Sequence, residues 1–407
     1  MKIPQTNAPQ PMFHDRPLCA AAAGVLLGVL AAGMFGVPNT FLFALLPLAI
    51  GAVAAARNQR MLFILLTGAA LGMLYAAARF PADGSFTRSG PMVTLPSSAA
   101  RNALESLRQS VGDRILTLFP QNGGVAKGML LGDKSGMDTE RMDQFGKVGI
   151  LHLLAVSGLH VSVLAGAFAL VIRKNSGVRF AVVGLFCLGY AALTAFSPSV
   201  LRASIMLLCG LGAAPLRRRA DGLSGMAFAF LLLEAMDPFA LYRTGFQLSF
   251  CAVFGLLVVR PTISRPLAPL GKTAAELVGG SAAVILATIP AMALHFGEVS
   301  FMSLLTNLLV LPLSPVFLIP AFLATAASFL WMPLGRILAV PAQLGLNMIV
   351  AIANAGGEWA VAVPAPGAVG YLLFLAAFVL YSKLCLRDPL HRALFGTASL
   401  AVAFLLW

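Results

Sequence analysis

Charge is what this sequence has least of. Only 11% of its 407 residues are Asp, Glu, Lys or Arg, and 59% are hydrophobic, where an ordinary soluble domain carries about 25% charged and about 45–50% apolar residues. A soluble globular domain is thereby excluded. Disordered and collagenous chains are excluded too, because Pro and Gly fall between apolar runs with no three-residue period. Cysteine is scarce: Cys19, Cys187, Cys209, Cys251 and Cys385 are scattered, with no C-x-x-C and no His at ligand spacing, so neither a disulfide framework nor a zinc site is indicated. They read as small packing residues. Five dispersed His residues cannot supply the clustered ligands of a two-metal hydrolase, and neither H-E-x-x-H nor G-x-S-x-G occurs. Leu270-Gly271-Lys272-Thr273 has Pro266 where a phosphate-binding loop needs its first glycine. No catalysis, metal or cofactor is expected.

What the chain has is apolar runs of the length that spans a bilayer, about 20 residues. The clear ones are Leu18 to Phe35, Thr40 to Ala56, Met61 to Ala78, Ile150 to Ile172, Val178 to Phe196, Thr244 to Val259, Leu277 to His295 and Val369 to Leu384. Shorter or interrupted ones are Leu201 to Leu216, Ser224 to Met236, the Pro-broken Ser303 to Leu330, and Leu394 to Trp407. The fold class is therefore all-α: a polytopic transmembrane bundle of about 10–12 spans. The first run reads as an uncleaved anchor, since further spans follow at once. Arg57 and Arg60, Arg173 with Lys174 and Arg179, Arg217 to Arg219, and Arg260 with Arg265 and Lys272 fall in alternate loops, which the positive-inside rule assigns to the cytoplasm together with the amino terminus. Residues 79–149 are then extracytoplasmic. Pro312, Pro315 and Pro320 leave three alternatives open: a broken helix, two half-helices or a re-entrant segment.

Four segments follow: N-terminal spans (1–78), an extracytoplasmic linker with amphipathic helices (79–149), a core of spans (150–331), and a final amphipathic helix with the last spans (332–407). In the second segment Leu104, Leu107, Val111, Ile115 and Leu118 recur at helical spacing with Arg101, Glu105, Arg108 and Asp113 around them. That pattern fits a helix on the membrane face, and equally one packed on the bundle. Gly335 to Glu358, with Gln343, Asn347 and Asn354 in an apolar pattern, reads as interfacial or lining an internal surface. No internal repeat is visible.

Polar residues inside apolar runs are costly in lipid and usually face a bundle interior or a wet path. The run from Ile150 holds His152, Ser157, Gly158 and His160. Ser157 and His160 share a helix face like a nucleophile and base, but no orienting acid accompanies them, so interhelical hydrogen bonding or the wall of a polar path is the better reading. Arg202 stands near a helix start, where the dipole disfavours a cation, and Glu234 ends its own run on the same predicted side. An Arg202 to Glu234 ion pair is expected. Gln247, Ser249, His295 and Asn307 complete the intramembrane set.

The run Gly128-Met-Leu-Leu-Gly132-Asp133-Lys134-Ser135-Gly136, then Phe145, Gly149 and His152-Leu-Leu-Ala-Val-Ser157-Gly158-Leu159-His160-Val161, resembles the signature of the ComEC family of competence proteins. Ser197-Pro-Ser199-Val-Leu-Arg202-Ala203, Asp237-Pro238 and Gly245-Phe246-Gln247-Leu248-Ser249-Phe250 follow in the family's order. The resemblance covers residues from about 98 to 330. It implies an inner-membrane channel that carries single-stranded DNA into the cytoplasm in natural transformation, with Lys134 and Arg141 joining the intramembrane polar residues along the DNA path. The partners it implies are single-stranded DNA, the lipid bilayer, a cytoplasmic ATPase or helicase motor, a periplasmic DNA-binding competence protein and a separate nuclease. Full-length members similar to this chain also carry an extracytoplasmic OB-fold domain and a carboxyl-terminal metallo-β-lactamase-like nuclease domain. Both are expected to be absent here: the OB position holds only the linker Arg79 to Pro96, too short for a five-stranded barrel, and no histidine-rich motif follows the last apolar run. Two other readings stay open, a transporter of a small or lipid-linked anion and a degenerate family remnant.

The formal net charge of +13 points less to DNA than its size suggests. The loops assigned to the cytoplasm hold sixteen basic and four acidic residues, and residues 79–149 hold nine basic and seven acidic ones. Nearly all the excess is membrane topology.

Overall fold

The computed structural model describes residues 16–35, 59–79, 97–172, 176–237, 239–300, 302–355, 360–364 and 396–403, with a few isolated positions between 47 and 377. Helices dominate: α1 Pro17–Phe35, α2 Arg60–Arg79, α3 Ser98–Leu118, α4 Gly123–Leu131, α5 Thr139–Lys147, α6 Gly158–Val171, α7 Ser176–Leu193, α8 Pro198–Ala213, α9 Gly222–Met236, α10 Thr244–Ser264, α11 Lys272–Phe296, α12 Ser303–Leu330 and α13 Met332–Ala355. One short antiparallel ribbon pairs β1 Glu298–Ser300 with β2 Ala360–Ala362, in the register Val299 opposite Val361. Contacts divide the chain into two discontinuous compact units, one of residues 1–90, 221–294 and 364–407, the other of residues 91–220 and 295–363.

Five helices, α7, α10, α11, α12 and α13, are long and apolar enough to cross a membrane, and shorter apolar stretches are Pro17–Leu30 of α1, Arg60–Ala76 of α2, Gly158–Leu170 of α6, and the helices α8 and α9. The chain is a multi-pass membrane protein. The expected spans Thr40 to Ala56 and Val369 to Leu384 lie largely outside the described residues, and of Leu394 to Trp407 residues 396–403 are described, as helix. Three expectations are changed in detail. Ile150 to Ile172 is not one span: a 3-10 turn at Leu151–Leu154 precedes the 14-residue α6, which at 1.5 Å per residue covers about 21 Å. The Pro-rich stretch is neither broken nor re-entrant but one 28-residue helix. Gly335 to Glu358 falls largely in α13, itself long enough to span. A proline removes one helical hydrogen bond each time, yet packing against α13 holds α12 continuous. Gly345 of α13 sits against the backbone of Val316 and Phe317, where a Cβ would come within 3.1 Å of the Phe317 nitrogen.

Ser97 caps α3 by accepting the Ala100 N–H at 3.1 Å, Asp221 caps α9 by accepting that of Ser224 at 2.9 Å, and Ser197 with Pro198 at the first position starts α8. The amphipathic α3 is exposed over most of its first half and buries Gly112, Ile115 and Leu118. It is a helix packed on the bundle at its carboxyl end, where Phe119 meets the Phe317 ring edge-on at 5.9 Å.

In the first unit α1 and α2 run parallel through facing glycines. A Cβ at Gly24 would collide with the Leu65 carbonyl and one at Gly28 with that of Ala69; from the other side, Gly68 meets Ala21 and Gly72 meets Val25. Gly24-x-x-x-Gly28 and Gly68-x-x-x-Gly72 thus form a small-residue crossing of the kind that draws membrane helices together without a hydrophobic drive. Arg16 grips Asp221 through two hydrogen bonds of 3.0 and 3.1 Å, and the Tyr75 hydroxyl donates to the Ala235 carbonyl at 2.8 Å. Contact thus brings the starts of α1 and α9 to one end of the unit, and the α1–α2 register sets the start of α2 there too. The alternate-loop charges put these three starts on one side of the membrane.

Gly28→Leu should force α1 and α2 apart. Overpacking costs about 1–3 kcal/mol, so a lower melting temperature in detergent is expected; an unchanged one would contradict the crossing.

Candidate functional site

The residues singled out by their chemistry fall into both units. In the second unit α4 ends at Gly132, whose φ of +73° is the left-handed cap that glycine suits and whose N–H returns to the Gly128 carbonyl at 2.9 Å. The loop that follows is pinned from inside. Lys127 Nζ lies 2.8 Å from Asp133 Oδ2 and 3.3 Å from Ser135 Oγ, while the Ser135 N–H donates to Asp133 Oδ1 at 2.9 Å. Partial burial alone would raise the Asp133 carboxyl, but the hydrogen bonds from Lys127 and Ser135 and the ammonium charge outweigh it and hold it at about 2. Lys134 points away from this clamp, making no side-chain hydrogen bond or ion pair among the described residues. Arg141, on α5, donates from Nη1 to Asn122 Oδ1 at 2.9 Å, and Asn122 Nδ2 donates to Asn347 Oδ1 at 2.9 Å.

The start of α6 gathers three expected residues. The Ser157 N–H donates to His160 Nδ1 at 3.0 Å, and the Ser157 hydroxyl lies 2.8 Å from the same nitrogen. A backbone N–H can only be received by an unprotonated nitrogen, so Nδ1 is the acceptor and the ring proton sits on Nε2. The His160 ring is fully buried and Nε2 has no hydrogen-bond partner. With Nδ1 occupied by the backbone, Ser157 and His160 form a helix cap. Arg202 of α8 lies directly over Gly158: its Nη2 would be 2.6 Å from a Cβ placed there, and the residue is 5% exposed. A side chain at position 158 would oblige that guanidinium to shift. His152, in the preceding 3-10 turn, is exposed.

Just before that turn, α5 docks on α12 through hydroxyl groups that sequence reasoning did not single out. Ser300 Oγ donates to the Lys147 carbonyl at 2.9 Å, Thr306 Oγ1 to the Val148 carbonyl at 2.8 Å, and Ser303 Oγ to the Ser300 carbonyl at 2.7 Å. Gly149, at φ +73°, passes so close to Ser303 that a Cβ would collide with it. Asn307, the next residue after Thr306, is buried with its Oδ1 unpartnered. His295 closes α11 and is half-buried.

In the first unit, Asp237 builds the corner after α9. Its carboxylate takes Arg243 Nε at 2.8 Å and Nη2 at 2.7 Å and the Phe239 N–H at 3.0 Å, and Gln247 Nε2 donates to the Leu241 carbonyl at 2.9 Å. Ser249 is buried one turn further along; Pro238 lies outside the described residues. Glu234 is 1% exposed and neither of its carboxyl oxygens has a hydrogen-bond partner. Phe230 meets Phe246 and Phe250 edge to face at 5.8 and 5.7 Å, and those two rings lie tilted against each other at 4.4 Å. Among the described residues no group of three His, Cys, Asp or Glu side chains is placed to hold a metal ion.

Two outcomes are expected. Asp133→Asn should lower the melting temperature at pH 7. The folded carboxyl is held below its ordinary value of 3.8 at about 2, so its contribution is complete above about pH 4 and lost as pH falls towards 2; the wild type should converge on the variant across that window, and a gap constant with pH would refute the clamp. Glu234→Met gives up at most a poorly formed hydrogen bond from the Leu241 N–H and replaces a polar group by an apolar one of similar volume, so stability should hold or rise. A melting temperature several degrees lower would show that the carboxyl has a partner.

Comparison with known proteins bears on the same segments. The Competence family model, described as competence protein, matches residues 129–387, well over half of the chain. ComE operon protein 3 of Bacillus subtilis is 30% identical over 211 residues, covering 51% of this chain and 26% of that protein. Competence protein ComA of Neisseria gonorrhoeae is 27% identical over 269 residues, 63% of this chain and 38% of that protein, and the uncharacterized protein YcaI of Escherichia coli is 27% identical over 230 residues, 53% and 30%. The chain thus spans less than two fifths of each of these relatives. No solved structure matches it. The matched segment contains the Asp133 clamp, the His160 cap, the buried Arg202 and the Asp237 corner, in the order in which the ComEC motifs carry them, and the chain belongs to that family of competence proteins.

Proposed function

We propose that this chain is the channel component through which single-stranded DNA crosses the inner membrane into the cytoplasm in natural transformation, with its amino terminus in the cytoplasm. The observation that carries the reading is the family match over residues 129–387, joined to the polar groups which that segment holds inside apolar helices. A phosphodiester chain bears one charge per nucleotide, and bare transfer of such a charge into an apolar interior would cost tens of kcal/mol. A wet, polar-lined route is required. In this reading the polar groups Lys134, Arg141, His152, Ser157, His160, Arg202, Glu234, Gln247, Ser249, His295 and Asn307 serve the passage of the strand, and residues 150–331 form the competence core.

The membrane potential, negative inside, opposes anion entry by about 2.3 kcal/mol per charge per 100 mV. The channel therefore works with a cytoplasmic ATPase or helicase motor, receives its strand from a periplasmic DNA-binding competence protein, and leaves degradation of the other strand to a separate nuclease.

Uptake of labelled DNA by a strain lacking the gene tests this. Uptake should fall to background and return with the wild-type chain, while His160→Ala and Arg202→Ala forms, once shown to reach the membrane, should restore it at least tenfold less well. Normal uptake in the deletion strain would sink the proposal.

A further inference from the structure

The turn Phe119 to Asn122 between α3 and α4 separates two cavities in the second unit. The larger, about 290 Å³, lies between that turn, the first residues of α4 and the loop entering α5, with Leu116, Gln121, Met137, Asp138 and Arg141 on its walls. The smaller, about 110 Å³, lies on the other side against Gln343 and Asn347 of α13. The larger is close to the lower bound of the ~300–1,000 Å³ typical of small-ligand sites. Its glycines are explained by packing: a Cβ on Gly124 would collide with the Gly136 carbonyl, so the floor is a backbone crossing that leaves no side chain in the space.

The walls define what it would hold. Arg141 spends one donor of its five on Asn122, and its position is fixed because Asn122 is held in turn by Asn347. Asp138, three residues earlier, also lines this space, and its side chain makes no capping hydrogen bond to α5. That carboxylate would repel a bare phosphate ion, while a ligand carrying both a phosphate oxygen and an N–H donor satisfies both side chains. Leu116 and Met137 supply apolar wall for a planar ring. With charged residues on its wall this space suits one nucleotide rather than an acyl chain.

We propose that this cleft binds a single nucleotide of the DNA strand, with Arg141 on the phosphodiester and Asp138 accepting from the exocyclic amine of the base. This rests on the reading of the chain as a DNA channel and locates a contact on a segment that the reading leaves general. Cytosine offers an amine to a carboxylate and thymine does not, so oligo(dC) binds more tightly than oligo(dT).

The test uses the full-length chain in nanodiscs and fluorescein-labelled single strands, read by anisotropy over a salt series. Arg141→Gln should weaken binding about tenfold for all sequences and lower the salt slope by about one contact. Gln121→Trp, at an exposed position that fills the cleft, should weaken it similarly without changing the melting temperature. Asp138→Asn should remove the preference for oligo(dC). Wild-type affinity in both Arg141→Gln and Gln121→Trp, or equal binding of oligo(dC) and oligo(dT) by the wild type, would overturn the cleft assignment while leaving the channel reading intact. A wild-type chain that binds no single-stranded DNA would remove both, and loss of affinity for anionic-lipid vesicles in place of DNA in Arg141→Gln would assign the cleft to a headgroup and overturn the proposal.

Discussion

A cation buried among apolar helices has to be met by the protein itself, and Arg202 shows what that demands. Its guanidinium lies over Gly158, and the first residue of α6 leaves it that space by carrying no side chain. Ser157 and His160 then take over the capping of that end. The same requirement governs the hydroxyls. Thr306, Ser300 and Ser303 return their protons to carbonyls at the end of α5 and the start of α12, so the polar groups that lipid would penalise become the pins that set where these elements meet. Polarity in this unit is spent on position.

The first unit meets the same absence of a hydrophobic drive differently. Facing glycines let α1 and α2 approach until one backbone rests on the other, and dispersion between closely packed atoms replaces the exclusion of water. Polar contacts join the helix ends, where Arg16 meets Asp221 and Tyr75 meets the last turn of α9, and the Tyr242 hydroxyl donates to the Val29 carbonyl within α1. Glu234 stands out against this economy, a buried carboxyl without a hydrogen-bond partner; a group of that kind has a cost in stability that function is the usual reason to accept.

Much of this was legible in the sequence, because length and apolarity alone set most spans: α7, α8, α9, α10, α11 and α12 lie where the apolar runs do. What the runs could not show is where a helix begins inside one. Ile150 to Ile172 is apolar throughout, yet Gly149 must pass against Ser303 and Gly158 must lie under Arg202, and those long-range contacts split the run into a turn and a short helix. Hydropathy treats both halves alike. The three prolines of α12 misled for the opposite reason, since a local rule of helix breaking is overridden by α13 packed along it. Lys127 escaped notice because it stands one residue before the motif it anchors, and a charge alone carries no address; its signal was the Asp133 and Ser135 placed within reach of the next helical turn. The glycine pairs of α1 and α2 were open to reading, each at a spacing of four.

Near its middle, α10 departs from the ordinary helix: Gly255–Val259 winds as a π segment, with Gly255 facing the Ala283 carbonyl of α11. Such a segment behaves as one residue inserted into an α-helix. Each residue of a regular helix turns the chain by about 100°, so everything beyond Val259, including Arg260, is set round the axis by that amount relative to Phe246 and Ser249. The two halves of α10 thus present faces that no uninterrupted helix of this sequence would align, and a chain one residue shorter here would keep both halves helical while exchanging which side chains look inward beyond the bend.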